Sequence, residues 1–257
     1  MIAVISDIHA NYDALEAVLT EIDRLRPDRV ICLGDIVGYG PEPAACVDAV
    51  RERCEVTVCG NHDYAVIYGA NDFSPPARAS IERHRRSLMP RVQAGDLDRE
   101  RQERWEFLKT LPYRHVHDSW LFVHAAPRNP VVEYLRKVDV MLDMTQKIAE
   151  NFRQMDWLCF IGHTHQPGII LPEMKFLAPE ELEDGIYRPE HHSKAIINVG
   201  SVGQPRDGDW RACFVTVQDD GLVRYHRVAY DLDRAVARMA ESPYGDPALA
   251  ERLRRAR

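Results

Sequence analysis

Five short apolar runs each stop abruptly at side chains that can hold a metal ion, and this recurrence constrains the chain more than any other feature. Ala3-Val4-Ile5 leads to Asp7 and His9, Val30-Ile31-Cys32-Leu33 to Gly34-Asp35, and Val56-Thr57-Val58-Cys59 to Gly60-Asn61-His62-Asp63. Leu121-Phe122-Val123 ends at His124, and Leu158-Cys159-Phe160-Ile161 at Gly162-His163-Thr164-His165. Runs of four or five β-branched and aromatic residues read as buried strands. Open α/β sheets place their chemistry just beyond the carboxyl ends of such strands. A chain built this way can deliver Asp, His and Asn from distant segments to one edge.

The order of elements points to an α/β protein. The first sixty residues read β-α-β-α-β, with strands at 2–6, 29–33 and 55–59 and helices over 10–26 and 42–53, which implies parallel strands with right-handed crossovers. Residues 64 to about 112 turn helical, polar and charge-rich, and read as an insertion. Strands resume at 113–117 and 120–124 around an Asp118-Ser119 turn, and one helix over 138–154 precedes a strand at 157–161. The remainder is β-rich (168–171, 195–199, 212–217 and 222–229, with Asp219-Asp220-Gly221 as a hairpin turn) and closes with helices near 231–241 and 246–256. The expected architecture is one domain over 1–257, a two-sheet sandwich flanked by helices in four layers.

Composition excludes several classes. With 33 basic and 40 acidic residues the net charge is −7, which argues against a general nucleic-acid or membrane binder. No window approaches the ~20 apolar residues of a membrane span, and no basic segment followed by a long apolar stretch opens the chain. Six cysteines show no C-x-x-C pairing; Cys32, Cys59 and Cys159 sit in apolar runs where a reduced thiol acts as a small hydrophobe. A soluble cytoplasmic protein is the expectation, with oligomeric state left open.

Asp7 and His9 are two apart, as are His163 and His165, so in extended backbone each pair would point one way. Carboxylate, imidazole and amide oxygen together suit Mn, Fe, Zn or Co better than a soft thiolate site would. Seven candidates, Asp7, His9, Asp35, Asn61, His124, His163 and His165, exceed one tetrahedral zinc, and two ions sharing a carboxylate would use them all. Taken singly, an Asp after a strand is more often a cap, and a lone His a hydrogen-bonded structural group. Only the joint pattern overrides those readings.

The run Gly34-Asp35-Ile36-Val37-Gly38-Tyr39-Gly40, with Asp7-Ile8-His9, Gly60-Asn61-His62-Asp63 and Gly162-His163-Thr164-His165, resembles the calcineurin-like metallophosphoesterases. The resemblance implies a binuclear centre in which one ion takes Asp7, His9, Asp35 and His165, and the other Asp35, Asn61, His124 and His163. It further implies that the ions clamp phosphoryl oxygens and activate water, while His62 protonates the leaving oxygen or steadies equatorial charge. Asp63 either orients that imidazole or caps the following helix. Eukaryotic-type serine/threonine phosphatases of this family have Asp and Arg where this chain has Gly38 and Tyr39, which weakens a phosphoprotein-phosphatase reading. The Gly-Tyr-Gly-Pro version and the run Asn198 to Gly208 look like the small prokaryotic phosphodiesterase branch, which includes enzymes similar to diadenosine tetraphosphate hydrolases. The implied substrate is small and phosphorylated, such as a nucleotide or dinucleoside polyphosphate.

Asn11, Tyr39 and Arg206 are the candidate substrate contacts, each equally readable as a turn, packing or loop residue. Glu190-His191-His192 reads as a solvated loop. Arg78, Arg83, Arg85, Arg86 and Arg91 read as a solvated face or as a cap attracting polyanions. The basic end, Arg252, Arg254, Arg255 and Arg257, suits a helix C-terminus. The rival functions are a phosphomonoesterase or protein phosphatase, and a scaffold of the same fold without catalysis.

Overall fold

The computed structural model describes residues 1–93, 96–190, 193–244 and 247–257; His191 and His192 fall outside them. In chain order the elements are β1 (Ile2–Ile5), α1 (Tyr12–Leu25), β2 (Arg29–Cys32), α2 (Pro43–Arg53), β3 (Val56–Thr57), α3 (Asn61–Tyr68), α4 (Pro75–Leu88), β4 (Val92–Gln93), β5 (Asp96–Leu97), α5 (Arg99–Thr110), β6 (Arg114–His117) and β7 (Trp120–Val123). The second half adds α6 (Lys137–Met141), α7 (Thr145–Phe152), β8 (Leu158–Ile161), β9 (Gly168–Leu171), β10 (Lys175–Leu177), β11 (Ile186–Tyr187), β12 (Ala195–Asn198), β13 (Ala212–Val217), β14 (Val223–Val228), α8 (Leu232–Glu241) and α9 (Pro247–Arg255).

Two mixed six-stranded sheets face each other, ordered β11-β14-β13-β1-β2-β3 and β10-β9-β12-β8-β7-β6. The strands β1, β7, β8, β12 and β13 are buried on both sides, and their period-2 alternation sorts residues between two cores. Ile2 and Val4 of β1, Trp120 and Phe122 of β7, Leu158 and Phe160 of β8 and Val215 of β13 meet between the sheets. Ala3 and Ile5 turn outward beneath Leu15, Val18 and Val47 of α1 and α2. On the opposite side Leu121, Val123, Cys159 and Ile161 lie under Ile148 and Phe152 of α7. The result is the expected helix–sheet–sheet–helix sandwich. Cys32, Cys59 and Cys159 are free and buried. No helix among the described residues is long and apolar enough to cross a membrane.

The parallel ladders decide where the polar loops gather. β1 pairs parallel with β2, β2 with β3, and β7 with β8. Their carboxyl ends, and the ligand-type residues beyond them, therefore leave each sheet on one edge. The Asp118-Ser119 turn forms as read, closing β6 and β7 at the His117–Trp120 pair.

Three expectations need correction. The single helix over 138–154 is two, broken between Met141 and Thr145, where Asp143 takes a left-handed backbone. The segment 64–112, expected to be helical, contains a small antiparallel pair, β4 with β5, beside its helices. The arginines of that segment are exposed at 78, 86 and 91, as a solvated face requires, but they are not only that, for Arg78 and Arg85 close off backbone carbonyls. Arg78 donates to the Ala70 carbonyl, and Arg85 to those of Val66 and Ile67 at the end of α3, groups a helix terminus leaves without partners.

Candidate metal centre

Backbone geometry places the ligand-type side chains. Asp7, His9, Asp35, His163 and His165 all have φ between 50° and 63°, left-handed conformations that cost a non-glycine residue about 1 kcal/mol or more. The extended-backbone argument for Asp7/His9 and His163/His165 is thus overturned: each pair faces one point through consecutive tight turns instead. Those turns are held by the neighbouring loops. The Asp7 and His9 amides donate to the Gly34 and Asp35 carbonyls. The Asn198 side chain donates to the Gly162 carbonyl at 2.6 Å and the Thr164 hydroxyl at 2.9 Å. Ser201 Oγ donates to the Asp7 carbonyl. The Asn198–Gln204 run is therefore a brace for both loops.

All seven candidate ligands meet in one buried place. Asp35 Oδ2 lies 3.6 Å from His9 Nε2 and 3.4 Å from His124 Nε2. Asp7 Oδ1 is 3.3 Å from His165 Nε2, and Asn61 Oδ1 is 3.0 Å from His124 Nε2. His163 Nδ1 sits 3.2 Å from His124 Nε2. The ligand atoms fall into groups close enough to hold an ion, Asp7/His9/His165 and Asp35/His124/His163 among them.

The chemistry of the set fits cations. Nδ1–H of His9, His124 and His165 donates to the carbonyls of Val37, Leu33 and Gln204 respectively. That is the outer bond which orients metal-binding imidazoles and frees the opposite nitrogen. Burial holds the imidazoles of His9 and His165 well below their usual range, so both are neutral. Their Nε2 atoms face each other at 3.1 Å, an arrangement that a shared cation would satisfy. Asp7 Oδ1 is buried without a hydrogen-bond partner, and burial raises its carboxyl to about 7. Burial also pulls down the His124 imidazole, but Asp35 overrides it and lifts it to about 9. Asp35 itself is held well below normal, because His124 and then His62 outweigh its burial. The pocket attracts positive charge.

His62 is buried, and burial lowers its imidazole to about 4. Its ring packs edge-on against His9 at 4.8 Å and Phe73 at 5.0 Å, and 4.7 Å from Tyr39. Its Nδ1 has no hydrogen-bond partner. Gly38, at φ +93°, explains why: a Cβ there would overlap Nδ1 of His62, so no carboxylate can stand at this position beside the ring as it lies. Asp63 does not reach the imidazole. Its carboxylate accepts from the amides of Ile36 at 2.9 Å, Val37 at 3.3 Å and Gly60 at 3.1 Å, capping α3 and tying it to the Asp35 loop.

The candidate substrate contacts divide. Asn11 is a helix cap: Oδ1 accepts from Ala14, and Nδ2 donates to the Gly203 carbonyl at 2.9 Å and to the Tyr230 hydroxyl at 3.4 Å, so both of its N–H groups are engaged within the protein. Tyr39 borders a cavity of about 360 Å³ with Asn61, His62, Phe73, Val132, Tyr134 and His163. Arg206 lies over the Tyr39 ring at 5.8 Å. Sequence reasoning missed Phe73 and Tyr134, which stacks on His163 at 4.0 Å; single aromatics in irregular segments carry no periodic signal. It also missed Ser80 and His84 of α4, which hold the loop that presents Tyr39. Tyr39 N donates to Ser80 Oγ at 2.5 Å, and Gly38 N to His84 Nδ1 at 2.9 Å. His84 Nε2–H donates to the Gly40 carbonyl at 2.9 Å.

That last arrangement needs a neutral ring, and burial lowers His84 from 6.5 to about 3. The unfolded chain therefore takes up this proton first, so the His84 contribution is complete above pH 6.5 and fades as pH falls towards 3. Between pH 7 and 4.5 the wild type should lose about 2 kcal/mol more stability than His84→Gln, whose amide does not titrate. Urea unfolding of both at the two pH values measures the difference, and equal losses would contradict a neutral buried His84.

Asp35 thus stands between His9, beyond β1 of its own sheet, and His124, beyond β7 of the facing sheet. A model of the calcineurin-like phosphoesterase superfamily domain matches residues 1–220, and the chain belongs to that superfamily. It is 33% identical over 250 residues to the uncharacterized protein MJ0912 of Methanocaldococcus jannaschii, covering 94% of this chain and 93% of that one. The crystal structure of a metallophosphoesterase from Sphaerobacter thermophilus superposes with a TM-score of 0.81 at 36% identity, covering 100% and 98% of the two chains. The hypothetical protein PH1004 from Pyrococcus horikoshii OT3 shares the fold, with a TM-score of 0.72 at 17% identity and 98% of each chain covered.

Proposed function

We propose that the protein is a binuclear metal-dependent phosphoesterase that hydrolyses phosphodiesters or nucleotide phosphoanhydrides. The observation that carries this reading is the position of Asp35 Oδ2, within 3.6 Å of His9 Nε2 and 3.4 Å of His124 Nε2. One ion would take Asp7, His9, Asp35 and His165, the other Asp35, Asn61, His124 and His163. Mn, Fe, Zn and Co all suit this donor set. When bound, such a pair polarises phosphoryl oxygens and supplies a nucleophile from water near neutral pH.

The protein side chains do the rest. His62 lines the same cavity and, kept neutral by burial, offers an N–H to the oxygen on which charge gathers. An anionic phosphate beside it would raise its basicity, so that the ring could take up a proton from solvent and then hand it to the leaving oxygen. Asp63 acts through backbone, fixing α3 and hence the direction of His62. Phe73 and Tyr39 exclude water from one side of that ring. Gly38 and Tyr39 favour diesters and anhydrides over phosphoproteins, because the chain has no arginine at position 39 to grip a terminal phosphate in two-pronged fashion.

The test is dialysis against chelator, reloading with Mn, Fe, Zn or Co, elemental analysis, and hydrolysis of bis(p-nitrophenyl) phosphate, a dinucleoside tetraphosphate and a phosphopeptide. Two ions per chain with metal-restored activity on the first two substrates is the expected result. Full activity after metal removal would refute it.

A further inference from the structure

We propose that Arg206 and Arg252, gathered against Tyr39, form a clamp for a second, non-reacting phosphate, so that the preferred substrates carry at least two linked phosphates. This rests on the phosphoesterase reading above and narrows its substrate class.

The clamp joins two segments far apart in the chain. Arg206 follows the loop that braces Asp7 and His165, and its own amide donates to the His165 carbonyl at 3.1 Å. Arg252 comes from α9, which reaches the site because Leu249, Ala250 and Leu253 pack with Met239 and Ala77 around Tyr39. Their guanidinium carbons lie 5.8 and 5.7 Å from the centre of the Tyr39 ring, whose other neighbours are His9 and His62, each at 4.7 Å. The two charges therefore stand one aromatic ring away from the candidate metal ligands.

Both guanidinium groups bond to Tyr39, but no acidic side chain is set against them. Among the described residues no Asp or Glu forms an ion pair with either arginine, although the chain carries a net −7. Arg206 Nη2 donates to Gln204 Oε1 at 2.8 Å, while its Nε is buried without a partner. Arg252 Nε donates at 3.1 Å to a main-chain oxygen of Arg257, the last residue of the sequence. Arg252 is half-buried, and that burial together with the charge of Arg206 pulls its guanidinium down from the usual range. Two like charges held together away from water are costly unless an anion joins them. Guanidinium groups match the oxygens of a phosphate in a planar fork. By contrast Arg254, two residues on, is exposed and paired with Asp233 at 2.8 Å.

A simple diester places one phosphate on the metal side and has nothing to offer beyond Tyr39. A nucleoside di- or triphosphate, or a dinucleoside polyphosphate, has a further charged phosphate attached to the reacting one. The test is calorimetric binding of AMP and of α,β-methylene-ADP, whose bridging carbon resists cleavage, to metal-loaded protein. Wild type should bind the diphosphate analogue at least about tenfold more tightly than AMP, as befits one or two charged hydrogen bonds. Arg252→Gln should collapse that ratio, Arg252→Lys should leave it intermediate, and Arg254→Gln should leave it as in wild type. An unchanged ratio in a folded Arg252→Gln, or equal weakening of both ligands, would overturn the clamp. Because binding is read without turnover, a protein that shows the ratio yet hydrolyses neither diesters nor anhydrides would sink the catalytic reading alone.

Discussion

Asp35→Ala should leave the protein with fewer than one tightly held ion per chain and no measurable turnover. One carboxylate oxygen stands between His9 and His124, so a single substitution removes a ligand from both proposed ion positions. Loss of an outer-shell partner already weakens metal binding about 10–100-fold, and a shared ligand is expected to exceed that. The other oxygen, Oδ1, accepts the His62 amide at 2.8 Å, so alanine also releases the start of α3. Asp35→Asn separates the two effects, for it can keep that hydrogen bond while losing the negative charge. Elemental analysis after gel filtration is the measurement. Two ions retained in Asp35→Asn would remove the bridge from the scheme.

His62→Ala should behave differently. Turnover on a diester is expected to fall about 10²–10⁴-fold, the usual contribution of a positioned proton donor, with metal content close to wild type. The imidazole is not needed to complete either proposed ligand set. Its loss opens space between Phe73, Tyr39 and His9, so a melting curve should accompany the kinetics. Full activity with an intact fold would take His62 out of the reaction. Metal loss equal to that of Asp35→Ala would recast it as a ligand, a role its proximity to His9 and Asp35 makes worth testing.

Much of the site is legible in the sequence, for a definite physical reason. Strands buried on both faces write continuous apolar runs, and the polar residue that ends each run stands out against them. Asp7, Asp35, Asn61, His124 and His163 announce themselves in this way. What failed to show depends on contacts between segments distant in sequence. Nothing around Ser80 or His84 signals that α4 will reach across to hold Gly38, Tyr39 and Gly40. Arg252 looks like one of four cations on a helix end, and only the packing of α9 sets it apart from Arg254. Asn11, readable as a substrate contact, also caps α1, a role that only the fold makes visible. The break at Asp143 is hidden because the apolar spacing continues through it. The Asp-x-His and His-x-His pairs do converge, but for a different reason from the one the spacing suggests, since both members of each sit in left-handed turns rather than extended backbone.

Those turns have an evolutionary and practical corollary. Asp7, His9, Asp35, His163 and His165 each occupy a conformation that glycine would adopt without penalty. The centre is thus assembled at the expense of the resting fold, a debt that ion binding must cover. Stripped of ions, Asp7→Gly should melt at a higher temperature than the equally stripped parent, because it relieves the turn and also removes a buried carboxylate oxygen that has no hydrogen-bond partner. Selection for thermal resilience alone would consequently erode this edge of the sandwich first.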